Sequence, residues 1–160
     1  MDRRYFVFRI NYDDAHSWVV VELLNKGFLR QGWGHSGLEL LNKSAKLVEK
    51  ENWINSFRNI WDETYEKSSL RYDILARMLG MQPADIVVIP KTTDDYSLTI
   101  CQVKEGYSFD TTNTTMWDDF KHLIRVENMK TFKYDECSEA KLISSKFRAY
   151  QSAVNNVWSE

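Results

Sequence analysis

The chain has 160 residues, the size of one domain rather than two. At 43% hydrophobic and 14% aromatic it can bury a core, which speaks against a disordered segment. A formal net charge of −2 argues against a nucleic-acid binder that relies on bulk positive charge, while leaving room for a local basic face.

Tyr5 to Ile10 is a β-branched and aromatic run and reads as a buried strand. Met1-Asp2-Arg3-Arg4 leads straight into it, so no signal peptide is expected. Asn11 and Asp13 offer turn and cap chemistry. From Asp14 to Lys26, Ala15, Trp18, Val19 and Leu23 recur at helical spacing, and Gly27 is the expected stop. Phe28 to Gly37 follows, with Gly32, Gly34 and Gly37 around Trp33, and an irregular backbone is expected there. Leu38 to Lys50 and Trp53 to Trp61 read as amphipathic helices broken near Glu51-Asn52. Ser68 to Leu79 reads as another, capped by Ser68 or Ser69, with Leu70, Ile74, Leu75 and Met78 inward and Gly80 at its end.

The second half changes character. Asp85 to Pro90 and Leu98 to Val103 read as a hairpin joined by a polar turn at Thr92 to Tyr96. Tyr107 to Asp118 reads as a polar loop, Phe120 to Val126 as a strand, and Ser138 to Val154 as a final helix with Leu142, Ile143, Phe147, Tyr150 and Val154 inward. This order of elements predicts an α+β fold rather than a doubly wound parallel sheet. No apolar run reaches membrane-spanning length. Cys101 and Cys137 form no metal-binding spacing, and two isolated cysteines fit a reducing cytoplasm. A cytoplasmic protein without membrane contact is the expectation.

Walker A, GxSxG, HExxH and dinucleotide fingerprints are all absent. One catalytic spacing remains. Asp85 opens a strand and Gln102-Val103-Lys104 ends the next, as in the PD-(D/E)xK nucleases, where acidic groups hold a metal and a lysine stabilises developing charge. The competing reading is an aspartate at a strand start and a lysine at a hairpin end. The loop tryptophans suggest other chemistry. Trp33 among glycines and Trp117 in a polar loop are what a base-stacking or aromatic-cage pocket needs, although each could also cap a core edge. Trp18 and Trp53, at helical spacing, read as core.

Taken in order, several segments resemble the EVE and YTH branch of the PUA-like superfamily. Tyr5 to Asp14 resembles the opening strand and turn. Arg30-Gln31-Gly32-Trp33-Gly34 stands where those domains carry a Trp-containing pocket wall. Gln82-Pro83-Ala84-Asp85 resembles the turn feeding a central strand, with Ala84 where the family usually has glycine. Leu98 to Tyr107, Asp119 to Glu127 and the Ser138 helix resemble the following strand, the late strand and the closing helix.

The resemblance covers most of the chain outside a helical insertion at about 38–68. It implies one PUA-like domain over residues 1–160, a small twisted β-barrel with flanking helices. It further implies a pocket for a flipped, often methylated, base, as in specificity modules of modification-dependent restriction and defence systems. The expected base pocket is Trp33, with Trp117 or Tyr107 as a second wall and Asn11, Gln31 and Asp110 on the base edge. Arg30, Lys121, His122 and Arg125 are the expected phosphate contacts, and Asp118 and Asp119 would repel phosphate if they faced it. The expected partner is DNA with a modified base, RNA being the variant, together with a nuclease or NTPase domain or subunit. No cofactor, metal or catalytic residue is expected. The alternatives are the Asp85, Gln102, Lys104 nuclease and a protein-interaction module.

Overall fold

The computed structural model describes residues 3–10, 17–112 and 119–157. Strand β1, Tyr5–Phe8, carries Phe6 and Phe8 on one face and Val7 on the other, the period of two that an extended chain imposes. Helix α1, Ser17–Lys26, buries Val19 and Leu23, one turn apart, and stops where the Gly27 N–H returns to the Leu23 carbonyl at 2.8 Å. Gly27 has φ +71°, and a Cβ there would stand 2.2 Å from the Val126 carbonyl oxygen, so both its conformation and its space demand glycine. Phe28–Gln31 then forms β2, a strand where the sequence suggested only an irregular loop.

The helix expected over Leu38 to Lys50 does not form. Leu38 and Leu40 are both buried, two residues apart, which is an extended spacing. Beyond them Asn42 turns the chain, its Oδ1 accepting from the Ser44 and Lys46 N–H groups, and Leu41 bridges to Leu47. An asparagine that satisfies two local N–H groups competes directly with helix. Helix α2, Lys50–Trp61, runs unbroken through Glu51-Asn52 and buries Trp53, Ile54 and Phe57. Helix α3, Tyr65–Ala76, starts earlier than expected because Thr64 caps it by accepting from the Lys67 N–H, and Leu70 faces solvent. A 3-10 turn at Arg77–Gly80 continues it.

The remaining strands are β3, Ile86–Pro90, β4, Ser97–Phe109, and β5, His122–Lys133. Tyr107 to Phe109, expected in a loop, belongs to β4. The last helix, α4, covers only Ser138–Lys146 with a 3-10 turn at Phe147–Ala149, Leu142 is exposed, and Val154–Val157 forms a sixth strand, β6. The Arg9 guanidinium closes that helix by donating to the carbonyls of Phe147 and Tyr150. This leaves the chain extended alongside β1.

The six strands make one curled sheet in the order β2-β5-β4-β3-β1-β6. β1 and β3 are parallel, Tyr5 opposite Ile86, and the connection between them carries α1, β2, α2 and α3, as a parallel pair requires a long crossover. All other pairs are antiparallel. The larger core lies where Phe6, Phe8, Val87, Ile89, Val103 and Ile124 meet α1, α2 and α3. A smaller one, Val7, Leu98, Ala140 and Phe147, lies under α4 on the other face. The architecture is thus α+β, a curled sheet with helices on its sides. No described helix is long and apolar enough to cross a membrane.

The turn before β3 explains two sequence features at once. Asp85 is buried and accepts from the Arg4 N–H at 3.0 Å, the Arg4 guanidinium at 2.8 Å and the Gln82 N–H at 2.9 Å. The preceding Ala84 is forced to φ +77°, a left-handed conformation that costs an L-residue roughly 1–2 kcal/mol. Replacing Ala84 by glycine removes that cost and adds about 0.4–1 kcal/mol of unfolded-chain entropy. Ala84→Gly is therefore expected to stabilise the fold by about 0.5–1 kcal/mol in urea unfolding; a destabilised variant would show that the turn is not strained.

Candidate functional site

Strand β2 delivers Gln31 to the segment Gly32-Trp33-Gly34. Trp33 is held at φ +64°, which is rare for a bulky residue, costs of order 1–3 kcal/mol and persists only where the surroundings enforce it. Gly34 supplies the enforcement. Its N–H donates to the Asp119 carbonyl at 2.6 Å, and a Cβ there would come within 2.8 Å of the Lys121 Cβ. The segment therefore lies flat against residues 119–121.

This arrangement sets the half-buried Trp33 indole in the wall of an open cleft of about 480 Å³. The volume suits a small planar ligand. Gln31, Asp119, Phe120, Arg9, Arg71 and Gln151 also line the cleft. The Arg71 guanidinium, from α3, lies 4.3 Å from the centre of the Trp33 ring, a cation–π contact. Gln31 is buried, and its Oε1 has no hydrogen-bond partner.

Behind the cleft the polar residues form a chain. The Leu40 N–H donates to the Tyr107 hydroxyl at 3.2 Å, and that hydroxyl lies 2.9 Å from His122 Nδ1. The hydroxyl thus links the Leu40 main chain to the His122 ring. His122 is fully buried. Burial pushes its pKa down to about 3, against a smaller upward effect of the Trp33 backbone, so the ring is neutral at pH 7.

Arg30 is buried as well. It donates to Glu22 at 2.5 Å, to Asp110 at 2.9 Å and to the Phe120 carbonyl at 3.0 Å. Burial alone would depress its pKa, but hydrogen bonds and charge from Glu22 and Asp110 raise it overall. For Asp110, burial raises the carboxyl pKa, and the Thr112 hydrogen bonds together with Arg30 outweigh it, leaving it below the ordinary range.

The structure thus separates the residues expected at the site. Trp33 and Gln31 share the cleft. Tyr107, expected as an aromatic wall, is a link in the buried chain, and Asp110, expected on a base edge, is engaged by Arg30 and Thr112. Among the expected phosphate contacts, Arg30, Lys121 and His122 are buried. Buried in the fold, they are not presented to a phosphate. Arg125 is exposed, loosely beside Glu105 at 3.4 Å and over the Phe28 ring. Asn11 and Trp117 lie outside the described residues. The cleft also contains Arg9, Arg71 and Gln151, which sequence reasoning did not select. Arg9 could have been found from its place directly after the apolar run of β1, whereas Arg71 looks like any helix-surface arginine.

The nuclease constellation receives no geometric support. Asp85 is committed to Arg4 and Gln82, the Gln102 Oε1 accepts from the Asn128 amide at 3.1 Å, and Lys104 is exposed. Among the described residues no three His, Cys, Asp or Glu converge as a metal-holding group. The chain matches no family model, no curated protein and no solved structure.

The neutral His122 has a measurable consequence. The unfolded chain protonates this histidine near its ordinary pKa of 6.5, while the folded one does so only near 3. Between these values the unfolded state binds the extra proton, so stability falls as pH drops. The loss attributable to His122 is about 2 kcal/mol at pH 5, above the range in which most carboxylates titrate. Urea unfolding at pH 7.5 and pH 5 is expected to show this loss in the wild type and not in His122→Gln, whose amide can pair with the Tyr107 hydroxyl in either direction. Equal pH dependence in the two proteins would mean that the histidine is not buried neutral.

Proposed function

We propose that this domain binds nucleic acid carrying a methylated base and holds that base, flipped out of its strand, against Trp33. The observation that carries the reading is the Trp33 backbone. A tryptophan held in the left-handed region between two closely packed glycines, with its ring in an open cleft, is a costly arrangement for a residue that merely fills space. The curled α+β sheet with helices on its sides supports the EVE/YTH-like barrel that the sequence resembles.

Flipping a base costs a few kcal/mol. Stacking on an aromatic returns roughly 1–3 kcal/mol, and edge hydrogen bonds to Gln31 and Asp119 supply the rest. Entry of a base displaces the Arg71 guanidinium from the indole face. The freed cation then stands at the cleft mouth, where it can meet the displaced nucleotide's phosphate. Arg9 adds fixed positive charge beside it. These two arginines take the role that Arg30 and His122 cannot. With a net charge of −2, binding to unmodified DNA is expected to be weak. In this reading the domain is the DNA-specificity module of a modification-dependent restriction or defence system, and cleavage belongs to a nuclease or NTPase domain or subunit.

The test is a titration of fluorescent duplexes carrying one 5-methylcytosine, one N6-methyladenine or no modification, at fixed moderate salt, with the same methylated bases in RNA as a further arm. At least tenfold preference for one methylated duplex, lost in Trp33→Ala, is the expected result. Stronger binding of methylated RNA would move the partner class from DNA to RNA. Equal, weak binding of every probe would overturn the proposal.

A further inference from the structure

We infer that Gln31 makes the cleft selective for a base with an exocyclic N–H, the cytosine or adenine type, over one that presents a carbonyl or ether oxygen at the same position. This rests on the base-binding reading above and specifies its ligand.

Gln31 is 9% exposed and lines the cleft, and its Oε1 is screened from water without a hydrogen-bond partner. A buried acceptor in that state is destabilising, and such groups in folded proteins are usually satisfied by the protein, by water or by a ligand. The strand fixes its direction. Gln31 lies two residues beyond the buried core residue Leu29 and opposite His122 in the β2–β5 ladder, so its side chain belongs to the inner face of the curled sheet, at the end that opens into the cleft.

The neighbouring groups have the same polarity. Asp119 lines the cleft too, its Oδ2 3.3 Å from where a Cβ on Gly32 would stand. Gln31 and the Asp119 carboxylate therefore lie on either side of Gly32, next to Trp33 in the chain and in the cleft lining. A planar ligand stacked on the indole would bring one edge to the unpartnered Gln31 Oε1. An amino group there completes Gln31. A carbonyl or ether oxygen would face Oε1 with its own lone pairs and leave both unsatisfied, which is how a hydrogen-bonding site rejects a near-isostere.

The experiment uses short fluorescent single strands, so that pairing energy does not enter. One matched pair carries 5-methylcytosine or thymine, which share ring and methyl group and differ as amine against carbonyl at C4. A second pair carries N6-methyladenine or 6-methoxypurine, which differ as N–H against O. A strand without the modification is the reference.

The wild type is expected to bind the N–H member of the recognised pair at least tenfold more tightly. Gln31→Met, which removes the acceptor, is expected to bring that ratio to within about twofold of unity while leaving the thermal midpoint unchanged or higher. Gln31→Glu, which keeps an acceptor, is expected to retain the preference. A structural role alone would instead lower the midpoint of Gln31→Met and weaken both members equally.

A wild-type ratio near unity, or a preference for the oxygen member, overturns the inference whatever the variants do. If such a ratio accompanies Trp33-dependent preference for modified over unmodified strands, the base-binding reading stands and only the role of Gln31 falls. If no strand binds more tightly than the unmodified reference, both fall.

Discussion

The buried guanidinium of Arg30 is the constraint on which the site depends. It sits on β2, at one edge of the sheet, and takes its acceptors from three separate places: Glu22 on α1, Asp110 just beyond β4 and the Phe120 carbonyl just before β5. A charge taken out of water costs several kcal/mol unless its partners are all present, and losing one partner of a buried pair typically costs 3–5 kcal/mol. The edge strand is therefore held in place by groups at the ends of β4 and β5 as well as on α1. Gln31 and Trp33 follow Arg30 directly in the chain, so the cleft inherits its position from this ion cluster. An edge strand of four residues would otherwise be a poor platform for a precise site.

A second anchor fixes the far end of the same segment. Leu40 is tied through the Tyr107 hydroxyl to His122, and Gly34 is hydrogen-bonded to Asp119. Between these points Trp33 has little freedom to relax from its left-handed conformation, and the strain is maintained by the surroundings. The neutral state of His122 fits this role. Polar residues that look from the sequence like a ligand's contacts are thus the means by which the cleft-lining residues are held.

That division marks the limit of what the sequence reveals. β1, α1 with its Gly27 stop, and the β3–β4 hairpin are legible because local periodicity and turn chemistry agree with the final fold. The stretch from Leu38 to Lys50 misleads because its leucines also fit a helical spacing, while Asn42 diverts the backbone into a turn. The strand at Val154–Val157 is hidden because its partner, β1, lies at the other end of the chain. The same distance in sequence hides the roles of polar groups. Arg30 meets residues 80 and 90 positions away, so nothing local distinguishes a buried, satisfied arginine from one that waits for a phosphate. Trp33 could be picked out because its flanking glycines announce an unusual backbone. Arg71 could not, because its function depends on where α3 packs.

The two cleft arginines differ in how firmly they are held, and that difference bears on selectivity. Arg9 donates to two main-chain carbonyls, at 2.7 and 2.9 Å, and its charge is fixed in place. Arg71 rests on the indole face, with no ion pair among the described residues. A partly exposed cation–π contact is worth roughly 0.5–1 kcal/mol, whereas a stacked base is worth roughly 1–3 kcal/mol. Exchanging one for the other gains between about 0 and 2.5 kcal/mol, which does not cover the few kcal/mol that flipping costs. Stacking is also available to every base, since each has a π face. An aromatic wall already covered by its own cation is therefore a poor trap for bases in general. Under the proposed base-binding reading, the remainder has to come from the ligand's edge and methyl group, which would place discrimination in the groups around Gln31 rather than in the tryptophan.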